Sequence, residues 1–222
     1  LKSHRIELKI LSNQKEIKKN IQSNARLTRY NLLTEFCEKK KIKAILTAHN
    51  LEDQVETFFI RLSRGSGLTG LSAMSRKSKL NNKVLLYRPL LDTKKKILIK
   101  ISKNVFGKYF RDPSNYNIKY LRTRVRNLKK PLKESGINYE QIIKSINNLA
   151  SSKVILEEYY KSISKNIIKI KSNNMILINF ERFKELNNEI QIRIINEAIK
   201  KLKKNYYNPR SKKVLNLINI IS

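Results

Sequence analysis

The sequence predicts an α/β unit, a parallel sheet flanked by helices, followed by a mainly α-helical domain. Three observations predict it. Short apolar runs alternate with segments of helical periodicity over residues 1–133, the pattern of strands joined through helices. Beyond Pro131 long helical periodicity takes over. With 40% hydrophobic residues in 222, and only 5 glycines and 4 prolines, the chain can bury a core and is not low-complexity.

Residues 6–11 alternate like a half-buried strand. A helix is predicted over 14–40, with Ile17, Ile21, Ala25, Leu32, Leu33 and Phe36 on one face. Lys43 to Ala48 reads as a buried parallel strand. A helix over 51–63 follows, with Val55, Phe58, Phe59 and Leu62 at helical spacing, and Arg64-Gly65-Ser66-Gly67 stops it. Val84 to Leu90 is another strand, which Pro89 brings to an edge or exit. Asp92 can cap a helix over 93–104, Asp112-Pro113-Ser114-Asn115 is a turn-and-cap signal, and a basic helix runs on to about 130. The second domain, 134–222, is expected to hold helices over 138–170, 181–204 and 208–221, with a short strand pair around Met175 to Phe180.

Charge narrows the function. Lys and Arg number 49 against 17 acids, a formal net charge of +32. Genome composition competes as an explanation, since Lys, Asn and Ile, all favoured by AT-rich codons, make up 90 of the 222 residues. The distribution is harder to explain that way. Residues 57–133 carry 21 basic residues against two acids, Asp92 and Asp112, whereas 134–222 carry 16 against eight. Such a field attracts polyanions through counterion release, so nucleic acid or another acidic surface is the expected partner. No window has about 18 uncharged apolar residues, which excludes a membrane-spanning helix. The lone cysteine, Cys37, closes no internal disulfide, and with two histidines it makes no Cys/His zinc site; it reads as a small core residue. The chain opens on Leu1 without a signal-peptide pattern and reads as a fragment or processed piece.

The sharpest local pattern is His49-Asn50-Leu51-Glu52-Asp53-Gln54-Val55-Glu56-Thr57, directly after an apolar strand. On a helix His49, Asp53 and Glu56 share one face, with His49 in the N-cap place. Ligands bind at the carboxyl ends of strands in open parallel sheets. Two carboxylates on one face suit Mg²⁺ or a substrate ammonium group. They equally suit the positive end of the helix macrodipole, with His49 as a cap.

The stretch Ala48 to Thr57, running into Arg61-Leu62-Ser63-Arg64-Gly65-Ser66-Gly67-Leu68-Thr69-Gly70-Leu71, closely resembles the tRNA(Ile)-lysidine synthetase family of N-type ATP pyrophosphatases. Ala25-Arg26-Leu27-Thr28-Arg29-Tyr30, Arg88-Pro89-Leu90-Leu91, and Asp112-Pro113-Ser114-Asn115 followed by Arg122-Thr123-Arg124-Val125-Arg126 agree in order, so the match covers about residues 20–133. The resemblance implies a partial Rossmann-type sheet of the adenine-nucleotide α-hydrolase kind and a cytoplasmic ligase using ATP and Mg²⁺. Such an enzyme adenylates the C2 oxygen of the wobble cytidine of tRNA(Ile) with a CAU anticodon. The amine of free L-lysine then displaces AMP, so the tRNA reads AUA.

The same resemblance assigns roles. Asp53 and Glu56 would meet the lysine ammonium or Mg²⁺, and His49 would orient the nucleotide or base. Arg26 or Arg29 would meet phosphate or cytidine, and Gly65, Ser66 and Gly67 would allow close backbone approach. Arg111, Asp112, Asn115 and Arg122 join the substrate site, and Arg122, Arg124, Arg126, Lys129 and Lys130 would hold tRNA. Residues 134–222 would dock tRNA, with Tyr159-Tyr160 and Tyr206-Tyr207 either stacking on bases or packing in the core. A homodimer is left open.

Two departures stand out. The family's Ser-Gly-Gly-x-Asp-Ser phosphate loop is absent from these residues, so this chain alone is expected to bind ATP poorly, and Thr123 replaces the usual asparagine. The alternatives are a tRNA-thiolating ATP pyrophosphatase, against which the single cysteine argues, and a non-catalytic tRNA-binding remnant.

Overall fold

The structure is a computed structural model that describes residues 5–13, 21–81, 83–110, 112, 116–172, 175–203 and 211–221. The chain forms two compact units, 1–150 and 151–222. The division falls beyond the expected 133/134 because Tyr139, Ile142 and Ile146 pack with Leu51, Val55 and Ala73 in the core of the first unit.

The first unit is built on a three-stranded sheet in the order β1-β3-β2, with β1 (Ala44–Leu46), β2 (Lys77–Lys79) and β3 (Leu85–Tyr87). β1 pairs in parallel with β3, Ala44 opposite Leu85 and Leu46 opposite Tyr87, while β2 runs antiparallel to β3. The parallel pairing is as expected, but β1 is not a buried strand. It lies at the sheet edge with Leu46 71% exposed. Residues 6–11 are not a strand either: Ile6, Leu8 and Ile10 are exposed and no ladder includes them. Alternation of side chains makes a strand only where a neighbour satisfies the backbone.

α1 spans Ile21–Lys39, the described part of the expected 14–40 helix; 14–20 lie outside the described residues. Cys37 is buried, as its small apolar side chain suggests, and burial pushes its thiol pKa up. α2 (Leu51–Leu62) matches its expectation within a residue. Its cap is Asn50, not His49: the Asn50 side chain accepts from the Asp53 N–H at 3.1 Å, and the Asn50 N–H donates to Asp53 Oδ2 at 3.0 Å. This reciprocal capping box satisfies two otherwise orphaned donors.

After the turn at Gly65, where a φ of 64° requires the left-handed region, comes the short α3 (Leu68–Leu71). α4 spans Lys95–Phe106, and Gly107 in the left-handed conformation closes it. Lys94 precedes it as the N-cap; Asp92, expected as the cap, instead pairs with Arg76. The expected single basic helix is two, α5 (Leu121–Asn127) and α6 (Lys129–Glu134), divided at Leu128. Pro131 lies in the first turn of α6, where its missing N–H costs nothing.

α7 spans Tyr139–Ile167. In the second unit β4 (Ile168–Ser172) and β5 (Met175–Ile178) form an antiparallel pair, followed by α8 (Phe180–Lys184), α9 (Asn188–Lys203) and α10 (Ser211–Ile221). The expected helix over 181–204 is broken because the Gln191 side chain donates to the Phe183 carbonyl at 3.0 Å and satisfies the end of α8. Phe183, Ile190, Ile194 and Val214 centre the core of this unit. Among the described residues no helix is long and apolar enough to cross a membrane.

Candidate functional site

β1 and β3 run parallel, so the segments leaving them emerge at the same end of the sheet, beyond the strands' carboxyl termini. Thr47 and His49 follow β1, and Arg88 follows β3. The Thr47 hydroxyl lies 2.8 Å from His49 Nδ1, which leaves Nε2 as the ring nitrogen not committed to it. Burial depresses the His49 pKa. Asp53 opposes that shift, while Arg88, Arg26 and Arg122 reinforce it. The ring is thereby held neutral in a field of guanidiniums, a state in which it can accept a proton.

Asp53 interacts electrostatically with both His49 and Glu56, but His49 precedes the Asn50 cap and so lies off the helix instead of sharing its face, and the two carboxylates have different surroundings. Asp53 gives Oδ2 to the helix cap. Glu56 is buried, its side chain only 4% exposed, and faces two arginines from α5. Arg126 donates to it through Nε at 2.5 Å and Nη2 at 3.2 Å, and Arg122 Nε lies 3.2 Å away. Burial pushes the Glu56 carboxyl above the ordinary carboxylate range against the pull of Arg126. The Arg126 pKa is raised in turn by its hydrogen bond to Glu56. An ion cluster spanning 70 residues of chain therefore fixes α5 against α2.

This arrangement fits a metal poorly. Glu56 already serves two cations, and among the described residues no three His, Cys, Asp or Glu side chains converge as a metal site.

Three polar side chains without an expected role, buried Gln54 and Arg88 and half-buried Arg61, shape the segment between α2 and β2. Gln54 Nε2 donates to the Met74 carbonyl at 2.9 Å, and Gln54 Oε1 accepts the Met74 N–H at 2.8 Å. Arg61 Nη1 donates to the carbonyls of Gly70 and Ala73, each at 2.7 Å. Arg88 Nη1 donates to the Ser75 carbonyl at 2.8 Å and to Ser78 Oγ at 3.1 Å. A Cβ on Gly70 would lie 2.5 Å from Ser66 Cβ, so only glycine fits where the loop folds back. One signal was available for Gln54. It sits at helical spacing with Leu51, Val55 and Phe58, and a polar residue on an apolar stripe needs partners.

The other expected site residues spread more widely. Arg26 stacks on Tyr30, its guanidinium 5.1 Å from the ring centroid, whereas Arg29 is exposed. Gly65, Ser66 and Gly67 lie in the anchored loop, where the Ser66 N–H bonds the Arg61 carbonyl. Arg124 is exposed and donates to the Ile118 and Lys119 carbonyls at 3.2 Å. Lys129 lies 3.8 Å from Glu52, and Lys130 is 85% exposed beside Glu134. Asp112 is exposed. Arg111, Asn115 and Tyr206-Tyr207 lie outside the described residues. In the second unit Tyr160 packs against the core under the Arg193 guanidinium, and Tyr159 is exposed.

Comparison with known proteins agrees with this architecture. Residues 2–132 match the PP-loop domain family. A tRNA(Ile)-lysidine synthase of Wolbachia pipientis wMel is 35% identical over 208 residues, 94% of this chain and 48% of that protein. One from Orientia tsutsugamushi (strain Boryong) is 36% identical over 188 residues, 82% of this chain and 42% of that protein. The chain thus spans about half the length of the curated relatives it matches. Among solved structures, the U34-tRNA thiolase NcsA from Methanococcus maripaludis, with its 4Fe-4S cluster, superposes with a TM-score of 0.53 at 20% identity, covering 67% of this chain and 52% of that one. That likeness bears on the fold alone. A PP-loop match over more than half of the chain, on a small sheet whose parallel strands lead into His49 and Arg88, places the chain in the PP-loop domain family, as a homologue of tRNA(Ile)-lysidine synthases.

Proposed function

We propose that this chain carries part of an ATP-dependent ligase that joins L-lysine to C2 of the wobble cytidine of tRNA(Ile) bearing CAU. The observation that carries the reading is the similarity to lysidine synthases over 94% of the chain, running through the α2 motif at that end of the sheet. The division of labour is residues 1–133 for catalysis and 134–222 for docking tRNA. ATP, as substrate, transfers its adenylyl group to the C2 oxygen with release of diphosphate, and the lysine amine then attacks C2 as AMP leaves.

The chain's own residues have separable parts in this. Neutral His49 takes a proton from the incoming amine or orients the base. Asp53 meets the lysine ammonium through the oxygen not used in the cap. Arg26 and Arg122 meet phosphate, and Glu56 holds Arg122 and Arg126 in place instead of holding a metal.

Asp53→Asn separates cap from chemistry, because asparagine can keep one oxygen as the acceptor for the Asn50 N–H while the charge is lost and the other oxygen becomes an NH2 donor. The complete reading frame, given ATP, Mg²⁺, labelled lysine and a CAU-bearing tRNA(Ile) transcript, should fix label on the wobble cytidine with release of AMP. Asp53→Asn should abolish that transfer and leave the melting temperature almost unchanged. Full transfer by the variant would remove Asp53 from the reaction. Tight tRNA binding without transfer by the unaltered protein would replace the ligase with a binding module.

A further inference from the structure

A cavity of about 340 Å³ opens within the first unit where α2, α4, α6 and α7 begin or end. Of its lining residues only Lys129 has a role above, in holding tRNA, and no role above uses the cavity itself. Leu51, Ile137 and Tyr139 give it an apolar, partly aromatic lining, and four lysines, Lys94, Lys96, Lys129 and Lys133, surround it.

Two of those cations are committed and two are not. Lys94 lies 2.5 Å from Glu140, which raises its pKa, and Lys129 lies 3.8 Å from Glu52 and 5.1 Å from the Tyr139 ring centroid. Glu52 is further occupied, accepting the Lys95 N–H at 2.8 Å. Lys96 and Lys133 have no carboxylate within ion-pair distance among the described residues. The lining therefore carries two lysines in excess of its carboxylates. Asn138 adds a polar group: its Oδ1 accepts the Gln141 N–H at 2.9 Å, which leaves its amide nitrogen as a donor.

Uncompensated lysines are point charges suited to phosphate, whereas a lining of Leu, Ile and Tyr suits a flat, weakly polar body. One molecule that presents both is a nucleotide. The volume lies at the small end of the range of roughly 300–1,000 Å³ for ligand pockets, room for a single such unit. We propose that this cavity seats one nucleotide unit, its phosphate against Lys96 and Lys133 and its base against exposed Ile137 and the outer edges of the largely buried Leu51 and Tyr139. The source is either a nucleotide of an RNA strand or a free mononucleotide; the RNA source rests on the function proposed above, the cavity's chemistry does not.

Titration of the ¹⁵N-labelled 222-residue chain with two probes, cytidine 5′-monophosphate and an anticodon-arm RNA hairpin carrying CAU, tests this. Either probe, or both, should shift the amide resonances of Lys96, Lys133 and Asn138, and the probe that does so identifies the source. Replacing Lys96 and Lys133 together by Ala should weaken that binding at least about tenfold. Lys103→Ala, an exposed α4 lysine outside the cavity, should not. Both variants should keep the dispersed amide spectrum of the folded chain.

If the hairpin shifts α5 amides and neither probe shifts the cavity amides, the cavity proposal fails and the RNA reading stands. If the mononucleotide fills the cavity and the hairpin moves nothing, the RNA reading fails and the cavity proposal stands. Unchanged affinity for both probes in the double variant, or no cavity shift from either, overturns the proposal.

Discussion

At the scale of the residue, His49 is where structure adds most to pattern. Its place after β1 follows from sequence, but its electrostatic state follows from burial and from Arg88, Arg26 and Arg122, which arrive from three other segments. A histidine with a depressed folded pKa is neutral in the native state where the unfolded chain, titrating near about 6.5, already binds a proton. Between the two values the unfolded state holds more protons, so stability rises with pH across that window. The contribution is complete above about pH 6.5 and is lost as pH falls through it toward the depressed value. Melting temperatures of the unaltered chain should therefore drop on acidification through this window more steeply than those of His49→Gln, which keeps a hydrogen-bonding partner for Thr47 and cannot titrate. Identical slopes would mean that the His49 ring is solvated and titrates as a free histidine.

At the scale of the element, the loop after α2 illustrates what patterns carry and what they omit. Its start was legible, because the Gly65 turn stops α2 close to where the glycines predict. Its course was not. β2, Lys77–Lys79, has no apolar alternation and exists through its backbone ladder to β3. Residues 6–11, with ideal alternation, pair with nothing described. Strand formation depends on neighbours distant in sequence, whereas α2 carries its cap, its apolar stripe and its stop locally, and so could be read to within a residue. The site divides the same way. The placing of Asp53 and Glu56 three apart on one helix was legible from spacing alone, but the link from Glu56 to Arg126 joins residues 70 apart and only the folded chain reveals it.

Gln54 tests how the loop is held. Gln54→Leu keeps volume and leaves the Met74 N–H and C=O without their side-chain partner, a loss of roughly 2–3 kcal/mol. Amide exchange should accelerate over residues 66–75 well before it does in the α7 residues Ile142 and Ile146. Equal acceleration in both would make Gln54 an ordinary core residue with no special hold on the loop.

At the scale of the whole molecule, the charge of +32 resolves into groups with different tasks. Some cations are structural: Arg61 and Arg88 satisfy loop carbonyls, and Arg126 neutralises a buried carboxylate. Others stand in solvent, where only they can release counterions from a polyanion. α5 carries both kinds within three residues, since Arg126 faces Glu56 while Arg124 is exposed. The two substitutions should therefore fail in opposite ways. Arg126→Ala leaves Glu56 buried with Arg122 as its remaining partner and should cost roughly 2–3 kcal/mol of folding stability. Arg124→Ala should leave stability within about 0.5 kcal/mol. It should instead flatten the slope of log affinity for tRNA against log salt by about 0.7–0.9, one phosphate contact. Thermal melts and salt-dependent binding isotherms on the two variants separate these outcomes. An unchanged slope for Arg124→Ala would place that guanidinium off the RNA. An unchanged melt for Arg126→Ala would mean that Arg122 alone neutralises Glu56, and that the net charge of this helix, not its individual contacts, governs how the protein meets a polyanion.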